Sequence, residues 1–198
     1  MSASLETLAS PWRHEEDIRK SRFLAQAAPV GSTVEALAFV DAVSDATATH
    51  NCWAYRIGDA YRFNDDGEPG GTAGRPMLQA IDGQGCDRVV VVVTRWYGGI
   101  KLGAGGLARA YGGTAAECLR LAPRVAIVAM GRLFLRCEFA ELALVTARIR
   151  DMEGSIEQEA FVADGAELTV LAPLDRLEAI AARVVDLSRG RIQPRRLD

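Results

Sequence analysis

The chain has 198 residues, 49% of them apolar, and its 23 basic and 26 acidic residues give a formal net charge of −3. This balance excludes an intrinsically disordered chain and argues against long-range, non-specific attraction to nucleic acid, while leaving a local basic groove open. No run reaches the roughly 18 apolar residues of a membrane span and the first residues show no secretory signal, so we expect a cytoplasmic protein with no membrane partner.

Short apolar runs separated by turn residues predict three strands and one helix in the first third of the chain. In chain order these are a strand over Ser21–Val30, a helix that begins at the Ser32-Thr33 cap, a strand over Asn51–Ile57 and a strand over Tyr61–Phe63. The polar residues before them, 1–20, predict a lead-in strand or arm.

Two glycine-rich segments interrupt this pattern. The first, residues 64–75, is too polar for a regular element, and loops of this length inside a compact domain are often functional. A helix beginning at Pro76 follows, and then Val89–Val93, a run of five valines that is typical of a strand covered on both faces. The second segment, residues 98–106, leads into a helix over about Leu107–Leu121.

Beyond Pro123 the pattern becomes regular. The predicted elements are a strand (125–138), a helix (140–152), two strands (155–163 and 166–171), a helix (174–188) and a last strand (190–196). This β-α-β-β-α-β order is typical of the split-βαβ, ferredoxin-like motif. We therefore expect an α+β protein of two domains, residues 1–123 and 124–198.

Three carboxylates, those of Asp65, Asp66 and Glu68, lie close together in the first glycine-rich segment. Such a group can form turns and pair with arginines, contact a partner, or bind Mg²⁺ or Ca²⁺ through oxygen. The spacing is not that of an EF-hand, and turn formation or arginine pairing is the favoured interpretation. The four cysteines form no C-x-x-C pair and only two histidines are present, so we expect free thiols and no metal site.

The second glycine-rich segment follows a predicted buried strand and opens a helix. That context favours an anion, because free N–H groups and the helix dipole both attract negative charge. Arg95, Lys101 and Arg109 add full charges to it. The pattern Gly103-x-Gly105 matches a dinucleotide fingerprint only weakly, since no acidic residue stands about 20 residues further on. Close packing of a helix on a sheet is the alternative role for these glycines, and both interpretations stay open.

No nucleophile–base constellation is visible. His50 stands next to no nucleophile, and neither a Gly-x-Ser-x-Gly elbow nor a cysteine in a catalytic setting is present. We therefore expect no catalytic residue and no cofactor. Two further groups of residues could contact nucleic acid, but the favoured interpretation for them is packing or protection of a sheet edge. They are the aromatic residues Trp53, Tyr55, Tyr61 and Phe63, and the arginines Arg189, Arg191, Arg195 and Arg196.

Four ordered motifs spanning about residues 18–120 resemble the Impact/YigZ family. They are SRFLA at 21–25, HNCWAYR at 50–56, NDDGEPGGTAGRP at 64–76, and VTRWYGGIKLG at 93–103 followed by LARAY at 107–111. The combination is far more specific than any single glycine pattern. Departures are small: Gly70 stands where family members often have Ser, and Asn64 where they often have a small polar residue.

The resemblance implies an N-terminal α/β sandwich similar to the second domain of a small-subunit ribosomal protein, and a C-terminal ferredoxin-like domain similar to one in elongation factor G. It also implies a link to translation, because eukaryotic members are regulators that bind a protein partner of a stress kinase. Nucleic-acid or ribosome binding has been proposed for bacterial members. The same N-terminal fold occurs in small-molecule kinases that hold phosphate on a glycine-rich loop, which is an analogy of fold only.

Two functions remain as hypotheses. The preferred one is a non-catalytic binding protein linked to translation or its regulation, which contacts RNA, the ribosome or a translation-associated protein through the two glycine-rich segments. The alternative is an enzyme acting on a phosphorylated small molecule, with the phosphate held by residues 98–106. The candidate partner- or anion-binding residues are His50, Arg56, Asp65, Asp66, Glu68, Thr72, Arg75, Arg95, Lys101, Gly103, Gly105 and Arg109.

Overall fold

The computed structural model describes residues 5–197, and the chain divides into two compact units after Ile127. The N-terminal unit contains seven strands, β1 (Glu6–Leu8), β2 (Trp12–Ile18), β3 (Ser21–Pro29), β4 (His50–Ile57), β5 (Ala60–Asn64), β6 (Val89–Trp96) and β7 (Arg124–Ala126). The sequence boundary after Pro123 falls just before β7. The single strand expected over 125–138 is therefore wrong, because β7 pairs with β1 in the N-terminal unit.

A five-stranded antiparallel sheet in the order β2-β3-β6-β4-β5 forms the base of this unit. The polar lead-in residues supply the edge strand β2, which turns into β3 through Arg19 and Lys20, both with positive φ. The hairpin between β4 and β5 turns at Gly58, as the sequence predicts. Consequently β5 is the second free edge of the sheet.

Three helices cover the sheet, α1 (Thr33–Val43), α2 (Gly74–Gly83) and α3 (Ala104–Leu121). Alternate valines of β6 face opposite sides: Val89, Val91 and Val93 join the core with α2 and α3. Val90 and Val92 pack with α1 on the other side. All five valines are fully buried, which confirms a strand covered on both faces.

The starts of α2 and α3 differ from the sequence prediction. Helix α2 begins at Gly74, two positions before Pro76, and α3 begins at Ala104 instead of Leu107. Gly103, with φ of 73°, precedes α3, so the glycine-rich loop ends there and Gly105 lies in the first helical turn. The expected loop over 98–106 is therefore too long. By contrast, the predicted cap of α1 is confirmed, because the Ser32 hydroxyl accepts a hydrogen bond from the Glu35 amide.

The C-terminal unit has the β-α-β-β-α-β order that the sequence predicts. Its elements are β8 (Met130–Glu138), α4 (Phe139–Asp151), β9 (Ser155–Val162), β10 (Gly165–Pro173), α5 (Leu177–Leu187) and β11 (Arg195–Leu197). The antiparallel sheet runs β11-β8-β10-β9, and both helices join one apolar core with β8 and β10. The last strand is shorter than the expected 190–196. Within residues 5–197, no helix is long and apolar enough to cross a membrane.

Candidate functional site

A cleft of about 390 Å³ opens in the N-terminal unit where β4, the first glycine-rich segment, the end of β6 and the start of α3 meet. Five of the twelve candidate residues line it: His50, Glu68, Arg95, Lys101 and Gly103. They come from three motifs that are distant in sequence. The two glycine-rich segments therefore lie side by side, and the adjacency of β4 to β6 in the sheet brings them together.

The Glu68 carboxylate is the centre of a polar cluster in the wall of this cleft. Its side chain is only 4% exposed, and Oε1 lies 2.6 Å from Arg95 Nη1. The same oxygen accepts a hydrogen bond from the Tyr111 hydroxyl at 2.8 Å, and His50 Nε2 lies 3.8 Å away. A buried carboxylate is tolerated only when it is paired and hydrogen-bonded, and this cluster meets both conditions.

His50 has a defined orientation. Its Nδ1 lies 2.6 Å from the backbone carbonyl oxygen of Asp66. Because a carbonyl only accepts hydrogen bonds, Nδ1 must be the donor, which leaves Nε2 on the side of Glu68 and the cleft. The backbone amide of Asn51 donates to the Asp66 carboxylate at 2.6 Å. Asp66 is therefore bonded to two successive residues of β4, which holds the loop against the strand. His50 thus presents a fixed nitrogen to whatever enters the cleft.

The other two loop carboxylates serve the backbone. Asp65 accepts from three amides that lead into α2: Gly71 at 2.8 Å, Ala73 at 3.0 Å and Gly74 at 2.8 Å. Thr72 donates its hydroxyl to the Pro69 carbonyl at 2.6 Å, which tightens the same loop. Turn formation and arginine pairing are thus the contacts that the three acids make. No group of three or more His, Cys, Asp or Glu residues within 5–197 is arranged to hold a metal ion.

Arg95 is fixed inside the wall of the cleft. Apart from Glu68, its guanidinium donates to the Ser21 hydroxyl at 3.3 Å and lies 5.4 Å and 5.3 Å from the ring centroids of Phe23 and Tyr97. Its charge is therefore already balanced by Glu68. Lys101 is exposed at the mouth of the cleft, beside the start of α3. The accessible positive charge there comes from Lys101 and the helix N-terminus, not from Arg95.

The structure places other candidate residues elsewhere. Arg56 and Arg75 line a separate depression of about 400 Å³ between β5 and α2. Arg109 lines a third depression beside Arg19. The arginines grouped with Lys101 in the sequence hypothesis therefore do not form one basic surface.

Tyr111 is a cluster member that the site prediction omitted. It stands one turn after Leu107 on the buried face of α3, and its ring packs edge-on against Phe23 at 5.2 Å between centroids. A buried tyrosine hydroxyl almost always has a polar partner. A tyrosine at a core position of an amphipathic helix was therefore the available signal, although it does not identify Glu68 as that partner.

Raising the pH is expected to destabilise this unit through buried acids that stay neutral when folded. Burial raises the pKa of the Cys52 thiol from 9.0 to about 12 and raises the pKa of the Tyr111 hydroxyl above its ordinary 10.0. The stabilisation from Cys52 is complete below pH 9 and is lost as the pH rises from 9 towards 12. The stabilisation from Tyr111 is complete below pH 10 and is lost as the pH rises above 10, because only the unfolded chain then ionises. The free energy of unfolding in urea should fall by up to about 1.4 kcal/mol per pH unit for each group.

The matched variant for this profile is Tyr111→Phe. It keeps the ring against Phe23 and removes the ionisable hydroxyl, so the fall above about pH 10 should become shallower. An unchanged slope in the variant would contradict the role assigned to Tyr111.

Comparisons with known proteins cover both units. The family described as the Impact N-terminal domain matches residues 19–119, and a domain of unknown function, DUF1949, matches residues 135–191. The chain is 48% identical to an IMPACT family member from Thermus thermophilus, covering 88% of this chain and 97% of that protein. It is 37% identical to IMPACT family member YigZ from Escherichia coli, covering 93% and 94%. A crystal structure described as that of a hypothetical protein matches with a TM-score of 0.80 at 35% identity, covering 100% and 99%.

Proposed function

The chain belongs to the Impact family, and from that premise we propose that it is a non-catalytic binding protein of the translation apparatus whose cleft contacts a phosphate-bearing partner, the ribosome. The family resemblance supports the translation link, because the eukaryotic relatives are translation regulators. Protein IMPACT from Xenopus laevis is 41% identical over 105 residues, 47% of this chain. The similarity to that relative therefore covers about half of the chain.

One observation carries the choice of an anionic partner. Among the described residues 5–197, the only carboxylate lining the cleft is that of Glu68, which is buried and already paired with Arg95. The groups left accessible are the Lys101 ammonium, the uncapped start of α3 after Gly103 and the His50 ring. The Lys101 ammonium and the start of α3 both attract an anion. The cleft is therefore suited to a phosphate oxygen of RNA more than to a cation.

Co-sedimentation with ribosomes across a salt series tests this proposal. We expect pelleting that weakens steeply between about 50 and 200 mM salt and is reduced in Lys101→Ala, because phosphate contacts release counterions. Arg62→Ala is the matched control, since it removes one exposed positive charge on β5 that does not line the cleft. Equal loss in both variants, or no pelleting by the unchanged protein at low salt, would refute a contact at the cleft.

An enzyme acting on a phosphorylated small molecule is a second candidate function. Its specific support is the fixed His50 nitrogen beside a buried Glu68, in a cleft whose volume is in the range of small-molecule sites. The test is thermal unfolding with and without Mg-nucleotides and sugar phosphates. A ligand at 100 times its dissociation constant should stabilise the protein by about 2.7 kcal/mol. No shift with any of these ligands would remove this candidate.

A further inference from the structure

The free edge strand β5 carries two exposed aromatic side chains on one face. Tyr61 is 57% and Phe63 37% exposed. In the strand register Tyr61 lies opposite Arg56 and Phe63 opposite Ala54, and Ala54 belongs to the core beneath α2 and α3. Residues directly opposite one another share a face, so both rings lie on the α2 side of the sheet. Two neighbouring rings at a sheet edge are more than the isolated exposed apolar residue that is ordinary on a surface.

Arginines surround these rings. Arg56 forms a two-point ion pair with Asp82, and its guanidinium lies 5.3 Å from the Tyr61 ring centroid. The exposed Arg75, at the start of α2, lines the same depression of about 400 Å³ as the two rings. Within the part of the chain that the structure describes, the one carboxylate lining the depression is that of Asp82, which is already engaged by Arg56. The accessible charge beside the rings is therefore positive.

We propose that Tyr61, Phe63 and Arg75 form a binding surface for single-stranded nucleic acid, separate from the cleft. The rings would stack unpaired bases and Arg75 would contact a phosphate, the combination by which single strands are bound without sequence preference. A duplex does not fit this surface, because its bases are stacked on one another and cannot lie on the rings. The inference goes beyond the proposed function, which concerns another surface of the unit.

The opposite face of β5 supplies a matched control. Arg62 lies opposite Tyr55, which packs towards α1, and its guanidinium is 5.6 Å from the Trp53 ring centroid. Arg62→Ala and Arg75→Ala each remove one positive charge, but only Arg75 lies beside the exposed rings. The two variants therefore separate a local contact from general electrostatic attraction.

Fluorescence anisotropy of the full chain with a labelled oligouridine RNA of about ten nucleotides tests the surface. We expect the double variant Tyr61→Ala, Phe63→Ala to bind at least about tenfold more weakly, from the loss of two stacking contacts. Arg75→Ala should weaken binding and lower the salt slope by about 1, whereas Arg62→Ala should leave both unchanged. Circular dichroism checks that each variant is folded.

Three outcomes would overturn the proposal. They are no binding by the unchanged chain at low salt, unchanged affinity in the double aromatic variant, and equal losses in Arg62→Ala and Arg75→Ala. If the unchanged chain does not bind, a protein partner becomes the remaining explanation for the exposed rings of Tyr61 and Phe63. Ribosome pelleting of Lys101→Ala tests the proposed function of the cleft, and oligonucleotide binding by the aromatic variant tests the surface at β5. The two measurements are separate, so either proposal can be refuted without the other.

Discussion

Replacing Arg95 by methionine is expected to lower the free energy of unfolding by about 3–5 kcal/mol. Methionine preserves much of the side-chain volume against Phe23 and Tyr97 but removes the charge and the hydrogen bonds to Glu68 and Ser21. The Glu68 carboxylate, with a side chain only 4% exposed, would then keep, among the described residues, only the hydrogen bond from the Tyr111 hydroxyl. An uncompensated buried charge is costly, because it has lost its hydration and gained too little in exchange.

A second variant separates the charge from the packing. In Arg95→Met with Glu68→Gln the buried charge is absent, and the glutamine carbonyl can still accept from Tyr111. Urea unfolding of the two single variants and the double variant forms a cycle, and we expect the double variant to recover at least half of the loss. A loss in the double variant as large as the sum of the single losses would show that Arg95 acts through packing alone.

Much of the fold follows from local patterns that the sequence displays. The valines of β6 predict a strand buried on both faces, and the alternation of strands and helices after Pro123 predicts the C-terminal sheet and its two helices. The cap at Ser32 fixes the start of α1 because the bonding partners lie within three residues of each other. For these elements the pattern in the sequence itself was sufficient.

Two of the errors occur where the determining contact is more distant in sequence. Helix α2 begins earlier than Pro76 because the Asp65 carboxylate, nine positions away, accepts the amide of Gly74. Strand β7 leaves the C-terminal pattern because β1, more than a hundred positions away, pairs with it. The local sequence around Gly74 and around β7 contains no pattern that predicts either contact.

The site shows the same division. The sequence motifs identified the two segments that form the cleft, but charge alone could not tell which arginines reach it. Arg95 is drawn inward by Glu68, whereas Arg75 and Arg109 follow their helices to other surfaces. A positive residue in a glycine-rich motif is therefore a weaker indicator of ligand contact than its burial and its ion-pair partner.

Gly98→Ala is expected to cost about 3 kcal/mol or more, because the new methyl group has no room. A Cβ at this position would lie 1.7 Å from the Lys20 carbonyl oxygen and 2.1 Å from its carbonyl carbon. The clash is with backbone, in a turn where Arg19 and Lys20 already have positive φ, so neither side can yield cheaply. Either the turn between β2 and β3 or the segment from Tyr97 to Gly103 must move.

Movement of that segment links the prediction to the cleft, because Lys101 belongs to it. We expect Gly98→Ala to lower both the midpoint of urea unfolding and any ribosome pelleting that depends on Lys101. Gly113→Ala is the control: it meets no atom within 4 Å on the exposed side of α3. It should stabilise the protein by about 0.5–1 kcal/mol, since alanine is a better helix former. If Gly98→Ala were as stable as Gly113→Ala, the close approach of Gly98 to the turn would have no part in holding the cleft wall.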